Sequence, residues 1–248
     1  MTVKVVYGSD DVAGSNISYF LEKNFSVDAV PLREHPIYHD YPERVANAGK
    51  GELIIIPSQH KSLKNIRSLT VHAAGNFDTN EYGGERNKMT LCDAKYARGV
   101  LLNINKYAKD LGFEVTYEAT HHGPYSENPL LFVEIGSSEM EYGDKEIGYL
   151  MARSIYESFD EEASIYCGIG GMHYSGKFTK IAISESVAFG HIASKYRFAS
   201  LTPDILSEMY QKTIGAEGFL IEGKSFDSLQ KNSLKKMLDS RSFNYRFV

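Results

Sequence analysis

With 248 residues, 42% of them hydrophobic and 24% charged, the chain is long enough for one large domain or two small ones around a buried core. Its net charge of −5 excludes a uniformly basic surface, so contact with a polyanion has to come from local basic patches. No apolar run approaches the roughly 18 residues of a bilayer-spanning helix, and the first residues read as a strand with no cleavage site after it, which points to a cytoplasmic protein without membrane association.

Residues 3–7 are apolar and β-branched and read as a buried first strand. After the turn at Gly8-Ser9-Asp10-Asp11, residues 15–25 place Ile17, Phe20, Leu21 and Phe25 at helical spacing. Residues 27–32 read as a second strand. Residues 33–50, with His35, His39 and two prolines, read as an irregular excursion. Residues 53–56 form a buried strand closed by Pro57. Two segments that put histidines beside strand ends follow, Ser58-Gln59-His60-Lys61-Ser62 and Leu69-Thr70-Val71-His72 with Gly75-Asn76. Residues 77–88 are a polar loop with Gly83-Gly84, suited to a lid or binding loop.

From Asp93, apolar positions 94, 97, 101, 104, 108 and 111 mark an amphipathic helix with Asp93 as N-cap and Gly112 past its end. Residues 113–119 are a strand leading into His121-His122-Gly123-Pro124, and residues 130–136 form a second apolar strand carrying Glu134. A helix follows Gly143-Asp144 to about residue 159, with Ile147, Leu150, Met151 and Ile155 on one side. Residues 163–167 are a strand feeding the turn Gly168-Ile169-Gly170-Gly171-Met172-His173-Tyr174. Residues 181–192 mix strand and turn. Thr202-Pro203 opens a helix, and a last helix at 226–238 precedes a basic aromatic tail. Strands alternating with helices predict an α/β layer fold. Without repeats or a clear linker the expectation is a single domain over 1–248, with the excursion at 33–50 and a helical, basic C-terminal segment at 203–248.

Six of the eight histidines (His60, His72, His121, His122, His173 and His191) abut glycine, serine or a strand end. Side chains at strand ends can converge on one sheet edge, where open α/β folds bind ligands. Neutral imidazoles with a carboxylate are a zinc donor set, and Glu134 is the candidate carboxylate, as ligand or general base, with Glu118 the second choice. No His-Glu-x-x-His or Cys-x-x-Cys is present. In extended chain His121 and His122 would face opposite ways. Gly170 and Gly171 offer amides to an anion or oxyanion. The glycine turn matches neither a dinucleotide fingerprint nor a P-loop, and no Gly-x-Ser-x-Gly elbow exists. Cys92 and Cys167 are too few for a disulfide framework, and Cys167 reads as a nucleophile or, more commonly, as an inert packed thiol. Basic clusters occur at Lys61, Lys64 and Arg67, at Lys177 and Lys180, and from Lys231 to Arg246.

The segments around His60, His72, Thr120-His121-His122-Gly123-Pro124, Phe132-Val133-Glu134-Ile135-Gly136-Ser137, Gly168 to Tyr174 with Phe178-Thr179, and Gly190-His191 together resemble the archaeal and plant type of D-aminoacyl-tRNA deacylase. They stand in that family's order, while Met172 departs from an expected glycine and Ser175-Gly176-Lys177 from an expected Ala-Pro-Arg. The resemblance implies a three-layer α/β/α core with a mixed sheet, phosphorylase/hydrolase-like and akin to peptidyl-tRNA hydrolase. It implies a zinc enzyme, with one or two ions, that cleaves the ester between a D-amino acid and tRNA. On this reading His60, His72, His122, His173 and Glu134 supply metal ligands. Glu134, His121 and His173 do the catalysis. Lys61, Lys64 and Lys177 contact tRNA phosphates, and the protein acts as a monomer. A zinc aminopeptidase or amidohydrolase on small peptides, or a tRNA-binding module without catalysis, are the alternatives.

Overall fold

The computed structural model describes residues 3–61, 65–159 and 162–248. The architecture is mixed α/β with flanking helices, and its strands divide over two sheets. Six strands form the first, in the order β2 (Ala29–Leu32), β1 (Val3–Gly8), β3 (Leu53–His60), β6 (Leu130–Gly136), β4 (Ser68–His72), β5 (Glu114–Tyr117). All neighbours run parallel except β4 against β6.

Period-two alternation decides what each face of this sheet carries. Val5, Leu53, Ile55, Leu69, Val71, Leu131, Val133 and Ile135 point to one face, into the cluster shared with the helices. That face is covered by α1 (Val12–Phe25), α3 (Ala94–Tyr107) and α5 (Lys145–Tyr156). Val6, Ile54, Ile56, Leu130 and Phe132 point the other way, beneath Ala46 and the short helix α2 (Pro42–Val45). The excursion at 33–50 is therefore a cover for the second face, built from a 3-10 turn at Pro36–Tyr38 and α2.

The four parallel strands of the second sheet run β10 (Tyr245–Phe247), β9 (Gly218–Ile221), β7 (Ser164–Ile169), β8 (Val187–Ala193). One face packs Cys167, Ile169, Phe219 and Ile221 on α7 (Pro203–Lys212) and α8 (Ser228–Asp239). The other packs Phe189, Ile192 and Leu220 on α3 and on α6 (Gly176–Ser184). Helix α3 thus serves both sheets. Its Asp93 cap accepts from Tyr96 N at 3.0 Å, and its buried Arg98 donates to Ala182 O at 3.0 Å, at the C-terminal end of α6, where a cation is favoured. A short helix, α4 (Glu139–Gly143), leads into α5, and Asn16 of α1 donates to Tyr142 O and Asp144 O at this joint.

Several sequence expectations shift. Helix α1 begins at Val12 because Asp11 caps it, accepting from Gly14 N at 2.7 Å. Strand β3 runs through Pro57: the last β1 pairing is Val5 with Ile55, so Pro57 has only β6 beside it and its missing N–H is tolerated. Residues 181–192 are the end of α6 followed by β8, not strand and turn. The C-terminal segment is not only helical, since it supplies β9 and β10. Phe178 of α6 is fully buried, 4.9 Å from the Phe189 ring, and crowds Gly168. Phe178→Ala is expected to lower unfolding free energy by about 3–5 kcal/mol, measured by denaturant titration.

Candidate active site

The second face of the first sheet changes character along its strands. In β3 the inward series is Ile54, Ile56, Ser58, His60; in β6 it is Leu130, Phe132, Glu134; in β4 it is Ser68, Thr70, His72. The register sets Glu134 between Ser58 and Thr70, and His72 beside Phe132, on which its ring stacks at 4.9 Å. Beyond β5, Glu118 pairs with Tyr174 in an isolated antiparallel bridge, with Ala119 N donating to His173 O at 2.8 Å. This bridge carries the glycine turn of the second sheet to the edge of the first. A second bridge joins Ala74 to His121, and Gly75 N donates to His122 O at 2.8 Å.

The result is a cavity of about 690 Å³, within the usual range for small-ligand sites, whose lining includes His60, His121, His122, Glu134 and His173. His60 Nδ1 lies 3.1 Å from Glu118 Oε1 and 3.3 Å from Glu134 Oε2, while Ser58 Oγ donates to Glu134 Oε1 at 2.6 Å. His173 Nε2 stands 2.9 Å from Glu118 Oε2, and His72 Nε2 is 3.6 Å from Glu134 Oε1, too far for a hydrogen bond. Both Glu118 oxygens and His72 Nε2 are buried with no properly directed hydrogen bond. His122 adopts a left-handed φ of 44°, so the pair is not extended and both rings face inward, 4.3 and 5.0 Å from the His72 ring. The expectation that one of the two turns away is corrected by that backbone.

Backbone carbonyls set the imidazole tautomers. A carbonyl oxygen only accepts, so the Nδ1 atoms of His121 (2.9 Å from Ala119 O) and His122 (2.6 Å from Gly123 O) carry protons. Their Nε2 atoms keep free lone pairs, the arrangement by which outer partners orient metal-binding histidines. Burial, reinforced by repulsion from neighbouring imidazoles, holds His121 well below its ordinary pKa and His122 down at about 4. For His60, burial disfavours the charge but the Glu134 hydrogen bond and the Glu118 charge outweigh it, raising the pKa to about 9. His72 is raised too, against burial, by Glu134. Glu134 goes well below the carboxylate range because His72 and His60 overcome its burial, and Glu118 is lowered chiefly by His173.

Donor atoms lie within 4.8 Å of one another in the sets His72/His121/His122, His60/Glu118/His173 and His72/Glu118/Glu134. Free imidazole lone pairs, directionless buried carboxylate oxygens and mixed N/O donors fit a divalent cation of the zinc type. The polar loop at 77–88 forms one wall through Thr79, Glu81 and Tyr82. It is tied down by Asn76 donating to Gly83 O at 2.8 Å, by Gly123 N donating to Tyr82 O at 2.9 Å and by the Arg197–Asp78 ion pair.

A family model described as D-aminoacyl-tRNA deacylase matches residues 48–246. The chain belongs to the D-aminoacyl-tRNA deacylase family. A D-aminoacyl-tRNA deacylase of Ignicoccus hospitalis is 34% identical over 242 residues, covering 96% of both chains. One of Pyrococcus furiosus is 36% identical and covers 90% of both. The crystal structure of a conserved protein of unknown function, AF0625, superposes with a TM-score of 0.91 at 27% identity, covering 99% of this chain and 95% of that one.

Within this deacylase-family chain, His60, His72, His121, His122, His173 and Glu134 meet, and Glu118 meets them on equal terms. Continuing the β5 alternation from Thr116 places Glu118, the second choice beside Glu134 in the sequence, on the inward face. Ser58, the hydroxyl partner of Glu134, was missed. His191 stands apart, fully buried with its Nε2 2.9 Å from Thr90 O and Nδ1 3.2 Å from Thr120 Oγ1. Gly170 N donates to Ala193 O at 2.8 Å and Gly171 N to Ser225 Oγ at 2.7 Å, so neither amide is open to an oxyanion. Cys167 is buried, its thiol 3.3 Å from Thr213 Oγ1 and its pKa pushed by burial to about 12, which leaves no thiolate for nucleophilic work. Lys61 lines the histidine cavity, Lys177 lines another, and Lys64 lies outside the described residues.

Burial lowers the His191 pKa to about 4. Between the unfolded value near 6.5 and about 4 the unfolded chain binds a proton that the native state refuses, so stability falls as pH drops through that window, by about 3 kcal/mol in all. Denaturant titrations from pH 7 to 4 are expected to show this slope in the wild type and a flatter one in His191→Gln.

Proposed function

We propose that the chain hydrolyses the ester between a D-amino acid and the terminal ribose of tRNA, with the aminoacyl end seated in the histidine–glutamate cavity. One observation carries the reading: the imidazoles of His60, His121, His122 and His173 and the Glu134 carboxylate line a cavity large enough for an aminoacyl nucleoside, with His72 and Glu118 buried directly behind them, in a chain whose relatives bear the deacylase name. We assign zinc, as one or two ions, to the donors of His72, His121 and His122 and of His60, Glu118 and His173. Bound there, zinc supplies Lewis acidity toward the ester carbonyl.

The chain's own residues account for the rest. Glu134, held by Ser58 and His60, takes the proton of the attacking water as general base. His173, whose side chain is 45% exposed, sits where an incoming ester is met, and the proton taken by Glu134 passes to the departing ribose oxygen. The loop wall with Tyr82 limits water at the reacting carbon. Lys61 stands in the cavity lining, where a terminal phosphate is within reach.

Hydrolysis of D- and L-tyrosyl-tRNA, with a dipeptide as control, tests the reading: release of the D-isomer alone supports it, and turnover of the dipeptide alone sinks it. Glu134→Gln is expected to lower kcat about 10²- to 10⁴-fold in the same assay while the protein remains folded. Chelation is expected to abolish turnover and added zinc to restore it. His122→Ala is expected to lower the zinc content of purified protein measured by elemental analysis.

A further inference from the structure

Residues 172–174 separate two cavities. His173 lines the histidine cavity, whereas Met172 and Tyr174 line a hollow of about 290 Å³ on the other side. The Tyr174 ring lies 5.6 Å from that of His60 and 5.8 Å from that of His173, so the partition is one aromatic side chain thick.

Three ammonium groups from three elements surround this hollow: Lys177 in the first turn of α6, Lys195 after β8, and Lys224 after β9. Among the described residues none of the three ammonium groups is paired with a carboxylate; that of Lys195 lies 5.4 Å from the Tyr196 ring. Glu222, the acidic residue of the lining, is engaged in holding the glycine turn. Its Oε2 accepts from Ser225 Oγ at 2.8 Å, and Ser225 Oγ accepts from Gly171 N at 2.7 Å. The start of α6 opens on the same hollow through Gly176, and Ser175 provides no side-chain cap for its first amides, which adds the partial positive charge of a helix N-terminus. Like charges gathered on fixed elements repel one another, and in a chain of net charge −5 a solubilising role gives no reason for gathering them. A phosphodiester supplies the missing anion.

We propose that the hollow formed by Lys177, Lys195 and Lys224 is a docking subsite for a backbone phosphate of tRNA. It rests on the function proposed above: with the ester in the histidine cavity, a phosphate of the same strand is held across the Tyr174 partition. Lys177 was expected from the sequence to touch phosphate; Lys195 and Lys224, distant in sequence, join it only through the fold. Two fixed points, one at the ester and one at the backbone, orient the strand and supply local attraction that the whole-molecule charge does not.

The test is binding of deacylated tRNA to the zinc-loaded full chain by fluorescence anisotropy across a salt series, which is independent of ester hydrolysis. The variant Lys177→Gln/Lys195→Gln/Lys224→Gln is compared with a control, Lys50→Gln/Lys106→Gln/Lys109→Gln, that removes the same charge from exposed positions elsewhere. Thermal melting confirms that both variants fold. The expected result is at least about tenfold weaker binding by the first variant near 0.1 M salt. Its log–log salt slope should be shallower by about 1, as for loss of one phosphate contact, with the control unchanged. Wild-type affinity and slope in the first variant, or equal weakening in the control, overturns the subsite. Absence of tRNA binding by the wild type overturns it too, whereas failure of D-tyrosyl-tRNA hydrolysis with this binding pattern intact refutes the catalytic reading alone.

Discussion

Two carboxylates with almost no exposure stand close together at one cavity, Glu134 in its lining and Glu118 behind His60 and His173, and the rest of the site is arranged to neutralise them. Burying one ionised carboxylate costs several kcal/mol even after relaxation, and two in one place repel besides. Ser58, His60, His72 and His173 surround them with donors and positive charge at 2.6 to 3.6 Å. The strain of this arrangement is held by the sheet. Glu134 cannot turn away, because β6 is flanked on both sides and its neighbours Phe132 and Ile135 are fixed in opposite cores.

That dependence explains why so much of the site was legible in the chain and where reading stopped. A strand whose inward series passes from Ile54 and Ile56 to Ser58 and His60 announces a change from core to polar pocket on one face, and Phe132 followed by Glu134 repeats it. Convergence of the histidines follows once those strands are neighbours. Glu118 was less legible because β5 is short and its partner, Tyr174, comes from a turn of the other sheet. The inward turn of both His121 and His122 depends on one left-handed residue, which propensity gives no reason to expect at a histidine.

The fold shows the same division. Long periodic segments such as α3 and α5 were readable because three or four apolar residues mark one side, while α6, with Phe178, Ile181 and Ala182 buried, has a short stripe that also suits a strand. Pro57 was read as a stop, although a proline is tolerated where a strand has lost one neighbour, which only the sheet order reveals. The glycine turn was misjudged for a related reason. A glycine-rich turn is visible in the sequence, but the acceptors that the amides of Gly170 and Gly171 meet, Ala193 O and Ser225 Oγ, come from distant segments.

The proton inventory of the cavity ties its electrostatics to the proposed metal chemistry. Glu118 and Glu134 are held below the ordinary carboxylate range, and they raise in return the pKa of His60, to about 9, and that of His72. A divalent cation in the proposed site would offer these carboxylates the positive charge that the imidazoles otherwise supply, so its binding would release the His60 proton. His121 and His122 have no proton to give up on Nε2, since burial already keeps them neutral. Competition between protons and metal thereby falls on His60 and not on His121 or His122. Affinity for such an ion would then rise with pH up to the His60 value of about 9, because the Glu118 and Glu134 charges that would attract it are the ones that hold the His60 proton.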